Sequence, residues 1–418
     1  MEGQIDRLLL TLREEFDSVR PRRLVRRRLS IPELPHKVDA LIGMRRTGKT
    51  WFLFQLVDER LAAGVPPEAI LYLNFEDDRL LPATGPDLAR LVDAFYAAFP
   101  ENHDRICHLF LDEVQNVEGW ERVVRRLLDT RRVRILVTGS SARLLGREIA
   151  TALRGRSLPT EVWPYGFVEW LDATGSGLPS SPRGPRGRDR LRKALARYLD
   201  EGGFPETAGI DPAARLRILQ DYVQVVIFRD IVERHKLKGT VLVRYLIRWL
   251  LRSPGHLFSV HKFLHDLHSQ GIRASKNALH EYVGHVGDAY LAFTVPLFSE
   301  SVRKANSNPR KVYAVDTGLS GAVGLGSSRN RGQAFENLVY LDLRRQGCEV
   351  TYYLTEDRLE CDFLACFPDG RRRLYQACWD ATDAATLERE RRALDRARKE
   401  TGLDGELVTP DTYLDSLG

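Results

Sequence analysis

The residues best suited to chemistry lie in the segment Gly43-Met-Arg-Arg-Thr-Gly48-Lys49-Thr50. It satisfies the pattern G-x-x-x-x-G-K-[ST], whose glycines let the backbone wrap around phosphates while amides at a helix N-terminus face their charge. The lysine of this pattern reaches the outer phosphates, and its hydroxyl residue ligates Mg²⁺. The segment therefore predicts an ATP and Mg²⁺ site in which Lys49 is catalytic. The predicted nucleotide-contacting residues are Gly43, Arg46, Thr47, Gly48, Lys49, Thr50 and Trp51.

A second candidate is the pair Asp112-Glu113 at the end of the apolar run Leu-Phe-Leu. A carboxylate in this position holds Mg²⁺ through its water shell, and a following glutamate orients an attacking water molecule. Such a pair is common by chance, but after a phosphate-binding loop it becomes a specific partner. We expect Thr50 and Asp112 to be the metal ligands and Glu113 to act on water.

Polar and basic residues that follow could complete this site. Ser140 follows the next apolar run, where it could contact the γ-phosphate or the lytic water, or could cap a helix. Arg154 and Arg156 flank a glycine on what we expect to be an exposed connection. Either arginine could stabilise transferring phosphate charge in a neighbouring subunit, or could be an ordinary surface residue.

The elements around these motifs alternate between strand and helix. A helical pattern covers residues 4–19, and another follows the phosphate-binding loop. Apolar runs predict core strands at 38–42, 70–77, 106–115 and 134–142. This alternation indicates a parallel sheet covered by helices, with ligands at the carboxyl ends of the strands.

Length and composition limit the classes of protein that are possible. A chain of 418 residues and 47.6 kDa is long enough for two or three domains. The 43% hydrophobic and 29% charged residues are typical of globular proteins, and no apolar run is long enough to span a bilayer. The N-terminus lacks a secretory cleavage pattern, so we expect a cytoplasmic protein without membrane contact, with five cysteines as thiols.

The formal charge of +6 and the pI near 9.0 are mild, but arginines cluster locally. Clusters occur at 20–28, 183–193 and 371–373. Each is either a phosphate-contacting surface or a solvated face.

The order of several motifs resembles a known family. GxRRxGKT, LDEVQN with a following Trp, TGSSA, LRGR, WPYGFVEW and EGGFPE are similar to the prokaryotic AAA-type ATP-binding proteins with a restriction-endonuclease-like C-terminal domain. The resemblance runs from about residue 22 to the C-terminus. It implies a P-loop core of the ASCE type, a helical and winged-helix middle and a C-terminal domain of unknown function.

The middle region has amphipathic helical patterns at 217–235 and 241–253. Residues 258–298 then suggest a helix, a turn at Gly271, a second and a third helix, and a strand. This order predicts a winged helix in which Ser275, Lys276 and Asn277 open the recognition helix and could contact DNA. Winged helices also serve as packing modules, so DNA and protein contact both remain open.

The C-terminal region has helix and strand patterns that place Glu336, Asp362, Gln376 and Cys378 where a PD-(D/E)xK nuclease has its acids and lysine. Gln376 and Cys378 carry no charge, whereas Mg²⁺ needs hard oxygen ligands and the chemistry needs a lysine. We therefore predict a degraded nuclease fold used for binding or assembly. A weak metal site with Glu360 is the alternative.

These observations predict an α/β protein. It would have a P-loop parallel-sheet ATPase core, a helical/winged-helix middle domain and a C-terminal PD-(D/E)xK-like α/β domain. The predicted segments are 1–28, 29–170, 171–320 and 321–418. We expect an ATPase that forms a homo-oligomeric ring and binds and remodels or senses DNA. The alternatives are a nucleotide-dependent switch acting on an unknown protein partner and an ATP-dependent nuclease.

Overall fold

The computed structural model describes residues 2–21, 24–32, 34–139, 153, 155–237, 239–252, 254–324 and 330–417. The chain divides into two compact units, Met1–Val162 and Trp163–Gly418. Each unit has its own sheets and its own buried side chains, as expected for a chain of this length.

A five-stranded parallel sheet forms the centre of the first unit, with the strand order β2-β4-β6-β1-β7. Its strands are β1 (Val38–Ile42), β2 (Ile70–Asn74), β4 (Cys107–Asp112), β6 (Val133–Thr138) and β7 (Ser157–Glu161). Two short strands, β3 (Ala83–Thr84) and β5 (Val117–Glu118), pair with each other in a separate sheet. Strand β6 lies between β1 and β4. This order brings the carboxyl ends of β1, β6 and β4 side by side.

The helices of the first unit are α1 (Glu2–Val19), α2 (Lys49–Ala62), α3 (Gly85–Ala98) and α4 (Trp120–Thr130). Every residue of β1 and β4 is buried, which is typical of parallel strands covered on both faces. Phe52 and Leu53 of α2 pack with Leu41 and Phe110 of the sheet. The predicted alternation of strands and helices is confirmed.

The edge strand β7, which completes the five-stranded sheet, was not among the predicted strands. Its sequence, Ser-Leu-Pro-Thr-Glu, contains Pro159, which cannot donate a ladder hydrogen bond. Pro159 is tolerated because β7 is an edge strand, which among the described residues pairs with β1 alone and places Pro159 opposite Ala40. The connection predicted to be exposed therefore leads into the sheet.

The second unit begins with helices and a small antiparallel sheet of order β8-β10-β9. Its elements are α5 (Phe167–Ala173), α6 (Pro185–Glu201), α7 (Pro212–Val225), a π-helix (Val226–Glu233), α8 (Thr240–Arg252), β8 (Leu257–Phe258), α9 (Val260–Ser269), α10 (Lys276–Asp288), β9 (Ala292–Val295), α11 (Val302–Ser307), β10 (Arg310–Ala314) and α12 (Thr317–Val323).

The prediction of three helices between residues 258 and 298 is wrong, because the structure has two there. Helix α10 continues through Gly284 and Gly287 to Asp288, so one helix occupies the segment for which we expected a second and a third helix. Leu279 and Val286 are buried on one side of this single helix, so tertiary packing outweighs the low helix propensity of glycine.

The remainder of the second unit has a four-stranded sheet of order β11-β12-β13-β14, antiparallel except for the β13–β14 pair. The elements are α13 (Arg331–Arg345), β11 (Glu349–Leu354), β12 (Glu360–Cys366), β13 (Arg372–Ala377), α14 (Ala384–Thr401), β14 (Gly405–Val408) and α15 (Pro410–Asp415). The helix-to-strand order expected from the sequence in this region is confirmed.

Asp316 holds two segments of the second unit together. Its buried carboxylate accepts hydrogen bonds from the amides of Gly203 at 2.6 Å and Leu319 at 3.2 Å. Burial raises the pKa of Asp316 to about 6, although these amides oppose the shift. A Cβ atom on Gly203 would overlap the carbonyl oxygen of Tyr165, which explains the glycine in the EGGFPE motif.

In the part of the chain that the structure describes, no helix is both long enough and apolar enough to cross a membrane.

Candidate functional site

The predicted phosphate-binding loop connects β1 to α2. Gly43 has φ 149° and Gly48 has φ 92°, values that favour glycine. A Cβ atom on Gly43 would also overlap the carbonyl oxygen of Val162, so this glycine is required by a neighbouring backbone as well. Gly48 caps the N-terminus of α2, whose first residue is Lys49. The loop therefore presents a helix N-terminus and a lysine together, which is the arrangement that binds phosphate.

Lys49 lies within the loop and is 5% exposed. Its Nζ donates to the carbonyl oxygens of Gly43 at 3.2 Å and Met44 at 3.0 Å. Thr47 is fully buried, and its hydroxyl donates to the same Met44 oxygen at 3.0 Å. The Thr47 side chain therefore stabilises the shape of the loop, and its contact with nucleotide stays a prediction.

Arg27, which the sequence did not single out, binds both the phosphate-binding loop and α2. The guanidinium of Arg27 donates to the carbonyl oxygen of Thr47 at 2.8 Å, and its backbone amide donates to Gln55 Oε1 of α2 at 2.7 Å. Arg27 is 9% exposed. Its only signal in the sequence is membership of the arginine cluster at 20–28, where nothing distinguishes it from its neighbours.

The predicted metal carboxylate lies beside the loop. Asp112 is 1% exposed, its Oδ2 accepts from the Tyr72 hydroxyl at 2.9 Å, and its other oxygen accepts from the Thr138 hydroxyl. Burial raises the pKa of Asp112, and hydrogen bonds from Thr138, Thr50 and Tyr72 oppose this shift, whereas nearby Glu113 adds to it. The structure thus brings Thr50 and Asp112 together.

The oxygens of Thr50 and Asp112 are hard ligands of the kind that Mg²⁺ prefers. Two protein ligands suit an ion that arrives with nucleotide phosphates and keeps several waters. Among the described residues, no group of three or more histidine, cysteine or acidic side chains is arranged to hold a metal ion. The donor set therefore fits a magnesium ion shared with a nucleotide.

Glu113 has an unusual backbone conformation, with φ 52°. Its amide donates to Thr138 Oγ1 at 2.9 Å, and its Oε2 accepts from Gln115 Nε2 at 2.5 Å. Left-handed backbone at a non-glycine residue costs about 1–3 kcal/mol and is found preferentially at functional sites. Thr138 thus fixes both members of the acidic pair, a role that we had not predicted for it.

The remaining candidates around this site differ in what the structure shows. Arg156 lies directly before β7, and its half-exposed side chain forms an ion pair with Asp129 of α4. Trp51 is 54% exposed on the first turn of α2, and Arg46 is also exposed, with φ 68°. Ser140 and Arg154 lie outside the described residues.

Much of the charge in the arginine clusters is used within the chain. In the first cluster, Arg26 pairs with Glu59 at 2.7 Å, and Arg20 pairs with Asp58. In the second, Arg192 binds Asp411 at 2.6 Å, and Arg188 contacts the same carboxylate. In the third, Arg371 binds Asp369 at 2.6 Å and Arg373 binds Glu406 at 3.1 Å. These clusters are therefore weaker candidates for nucleic-acid contact than their composition suggested.

The predicted DNA-contacting residues lie at the exposed start of α10. Ser275 is the N-cap residue, and its hydroxyl accepts from the amide of Ala278 at 3.2 Å. Lys276 and Asn277 occupy the first turn and are exposed. The three side chains therefore share one accessible helix terminus.

The acids of the predicted degraded nuclease site are brought together, but around a lysine. Glu336 and Asp362 each lie 2.9 Å from Lys311 Nζ. Gln376 and Cys378 are buried, and Gln376 Oε1 accepts from the backbone amide of Asp362 at 3.0 Å. Lys311 comes from the preceding sheet, and no local sequence pattern pointed to it.

Comparison with known proteins places these observations in a family. Residues 35–171 match the model of an AAA domain, and residues 192–330 match a domain of unknown function, DUF8612. The uncharacterized protein MJ1544 of Methanocaldococcus jannaschii is 31% identical over 99% of this chain and 91% of its own length. An uncharacterized protein of Haemophilus influenzae is 28% identical over 78% of this chain and 79% of its own.

Two solved structures are similar at a lower level. The Walker-type ATPase PABY2304 of Pyrococcus abyssi is 14% identical, covers 68% of this chain and 90% of its own, and has a TM-score of 0.42. The Aeropyrum pernix ORC2 protein is 14% identical, covers 77% of this chain and 92% of its own, and has a TM-score of 0.37. On its 31% identity over nearly the whole chain, this protein belongs to the family of MJ1544, and its residues 35–171, which contain the phosphate-binding loop, match an AAA domain.

Proposed function

We propose that this protein hydrolyses ATP with Mg²⁺, and that it does so as an oligomer that binds and remodels or senses DNA. The observation that carries the ATPase proposal is the position of the buried Asp112 carboxylate beside the phosphate-binding loop, where the Thr50 hydroxyl lowers its pKa. These residues are distant in the sequence, and their meeting at the carboxyl edge of the sheet is what nucleotide hydrolysis requires.

Each side chain has a defined role in this proposal. Lys49 binds the β- and γ-phosphate oxygens, and Thr50 and Asp112 hold the magnesium ion. When bound, Mg²⁺ neutralises charge on the phosphates. Glu113 accepts a hydrogen bond from the attacking water and so orients it. Thr138 is a positioning residue, because it binds the Asp112 carboxylate and the Glu113 amide.

The oligomer rests on the arginines near β7. Arg156 is half exposed and paired with Asp129, an exposed carboxylate, so a surface ion pair of little energetic weight holds it. In a ring, Arg156 or Arg154 would reach the phosphates bound by a neighbouring subunit and stabilise the charge that develops there.

The DNA part of the proposal rests on the second unit. A winged helix composed of α9, α10 and the β8-β10-β9 sheet would present Ser275, Lys276 and Asn277 to a major groove. Their exposure at the N-terminus of α10 supports this arrangement. Because several arginines of the clusters form ion pairs within the chain, we expect α10 rather than these clusters to make the DNA contact.

A second candidate function is a nucleotide-dependent switch that acts on a protein partner. Apolar side chains on α7, the π-helix and α8 favour it, since Val225 is 44% exposed, Phe228 42% and Val241 74%. Exposed apolar groups of this size are more useful for contact with protein than with phosphates. In such a switch, ATP hydrolysis would time the release of the partner.

The test is Mg²⁺-dependent ATP hydrolysis by wild type, Lys49→Ala and Glu113→Gln, without nucleic acid and with single-stranded, duplex or branched DNA. We expect both substitutions to abolish turnover, Glu113→Gln to retain ATP binding, and one DNA form to stimulate the wild type. Stimulation that falls steeply with salt would indicate phosphate contacts.

A matched variant, Lys276→Ala, should lose stimulation by DNA and keep basal turnover. Turnover that requires Lys49 and ignores every DNA would replace the DNA proposal with the protein-directed switch. Turnover that persists in Lys49→Ala would contradict the ATPase proposal itself.

A further inference from the structure

The most unusual buried group outside the nucleotide site is Lys311, on the inner strand β10. Its side chain is 1% exposed, and its Nζ lies 2.9 Å from Glu336 Oε1, 2.8 Å from Glu360 Oε1 and 2.9 Å from Asp362 Oδ1. Burial by itself lowers the pKa of Lys311, but the carboxylates of Asp362 and Glu336 outweigh it and raise that pKa well above its ordinary value. The ammonium is therefore charged.

The three carboxylates match the ammonium group in number and distance. An ammonium has three N–H donors and no acceptor, and each can face one of the three carboxylate oxygens at ordinary hydrogen-bond length. Mg²⁺, by contrast, needs six oxygens at about 2.0–2.1 Å. Lys311 Nζ therefore occupies the point at which a metal ion bound by the three carboxylates would have to lie.

Neighbouring groups bind the same carboxylates. The Tyr313 hydroxyl donates to Glu336 Oε1 at 2.6 Å, and the amide of Ala377 donates to Asp362 Oδ2 at 2.9 Å. Both oxygens of Asp362 therefore already accept hydrogen bonds from protein groups. The donor set does not fit a divalent metal while Lys311 is present.

Gln376 occupies the position at which a nuclease has its second acid, and its side chain binds other groups of the protein. Gln376 Oε1 accepts from the amide of Asp362 at 3.0 Å, while its Nε2 donates to Glu390 Oε2 of α14 at 2.6 Å. The Gln376 side chain thus joins β12 to α14, and neither of its polar atoms is directed to a cation.

We propose that the Lys311 ammonium takes the place of a divalent metal ion among Glu336, Glu360 and Asp362. The three acids then hold parts of the second unit together and do not bind the metal ion that hydrolysis would need. Lys311 belongs to the β8-β10-β9 sheet, whereas Glu360 and Asp362 belong to the β11-β12-β13-β14 sheet. The ion pairs therefore join the proposed DNA-contacting module to the C-terminal sheet.

The test is Mn²⁺ binding to the full-length chain without nucleotide, measured by calorimetry and by the electron paramagnetic resonance signal of free Mn²⁺. The chains are wild type, Asp362→Asn, Lys311→Met and the double variant Lys311→Met/Asp362→Asn. We expect wild type, Asp362→Asn and the double variant to bind equally. Lys311→Met should gain one Mn²⁺ per chain, because it keeps the three acids and removes the competing ammonium.

Thermal unfolding with and without Mn²⁺ gives a second measurement of metal binding if Lys311→Met folds poorly. Saturating Mn²⁺ should raise the Tm of Lys311→Met by about 5 °C and leave the wild-type Tm unchanged. Lys311→Arg, which retains the charge, should gain no metal. Loss of Mn²⁺ binding in Asp362→Asn relative to wild type, or Mg²⁺-dependent DNA cleavage that needs Asp362, would overturn the proposal, as would a folded Lys311→Met that gains no Mn²⁺.

Discussion

The hydroxyl of Thr138 donates to the carboxylate of Asp112 and accepts the backbone amide of Glu113 at 2.9 Å. One buried side chain therefore fixes both acids of the proposed hydrolytic site. It can do so because β6, which ends at Thr138, lies directly beside β4. Any small movement of Thr138 would be transmitted to Glu113, the residue that we propose to orient water.

Replacing Thr138 with valine should slow hydrolysis more than it weakens binding. The substitution preserves volume but removes the hydroxyl, so the Glu113 amide loses its partner and the acidic pair is less well positioned. We expect kcat for ATP hydrolysis to fall about 10- to 100-fold. Binding of ATP, measured by fluorescence titration, should change less than about threefold. Thr138→Ser is the control and should retain most activity; equal losses in both variants would contradict the positioning role.

Arg27 and Arg26 offer a matched pair for testing support of the phosphate-binding loop. Arg27→Ala removes the hydrogen bond to the Thr47 carbonyl and leaves that oxygen unpaired behind the loop. We expect a loss of about 1–3 kcal/mol in stability of the first unit and weaker ATP binding. Arg26→Ala breaks only an exposed pair with Glu59 and should cost less than about 1 kcal/mol. Chemical denaturation and ATP titration of both variants provide the measurement, and similar effects would argue against the role of Arg27.

The buried carboxyl of Asp316 should make the second unit more stable in mild acid. Its pKa is about 6 in the folded protein and lower when the chain is unfolded, so the folded state holds a proton that the unfolded state has lost. The free energy of unfolding should therefore decrease as pH rises from about 4 to about 6, by up to about 1.4 kcal/mol per pH unit. Urea denaturation across this range should show a flatter slope for Asp316→Asn. An unchanged slope would show that Asp316 does not carry the effect.

Gly203 should tolerate no side chain. A Cβ atom there would overlap the Tyr165 carbonyl oxygen and would lie 3.1 Å from the carbonyl carbon and the amide nitrogen of the same residue, and backbone cannot swing aside as the end of a side chain can. Gly203→Ala is expected to destabilise the second unit by about 1–3 kcal/mol or more. Gly239→Ala is the control, since a Cβ atom at Gly239 meets no atom of the described residues within 4 Å. Thermal unfolding compares the two, and a Gly203→Ala chain as stable as the control would contradict the argument.

The sequence by itself determined the features that depend on neighbours along the chain. The loop from Gly43 to Thr50 and the pair Asp112-Glu113 were recognisable because strand, loop and helix follow one another without interruption. The alternating elements of the sheet and the helix–strand order of the C-terminal region were predictable for the same reason. The spacing of apolar residues and the residues that begin or end a helix can be read directly from the sequence.

Tertiary structure alone decided which distant residues meet. Thr138 reaches Asp112 because β6 is inserted between β1 and β4. Lys311 of β10 meets Glu336 of α13 and Asp362 of β12 because the fold brings these three elements together. Strand order and sheet packing are properties of the whole unit, so a single arginine or lysine carries no local mark of them. Arg27 and Lys311 look like any surface cation in the sequence, and burial among carbonyl or carboxylate oxygens gives each its role.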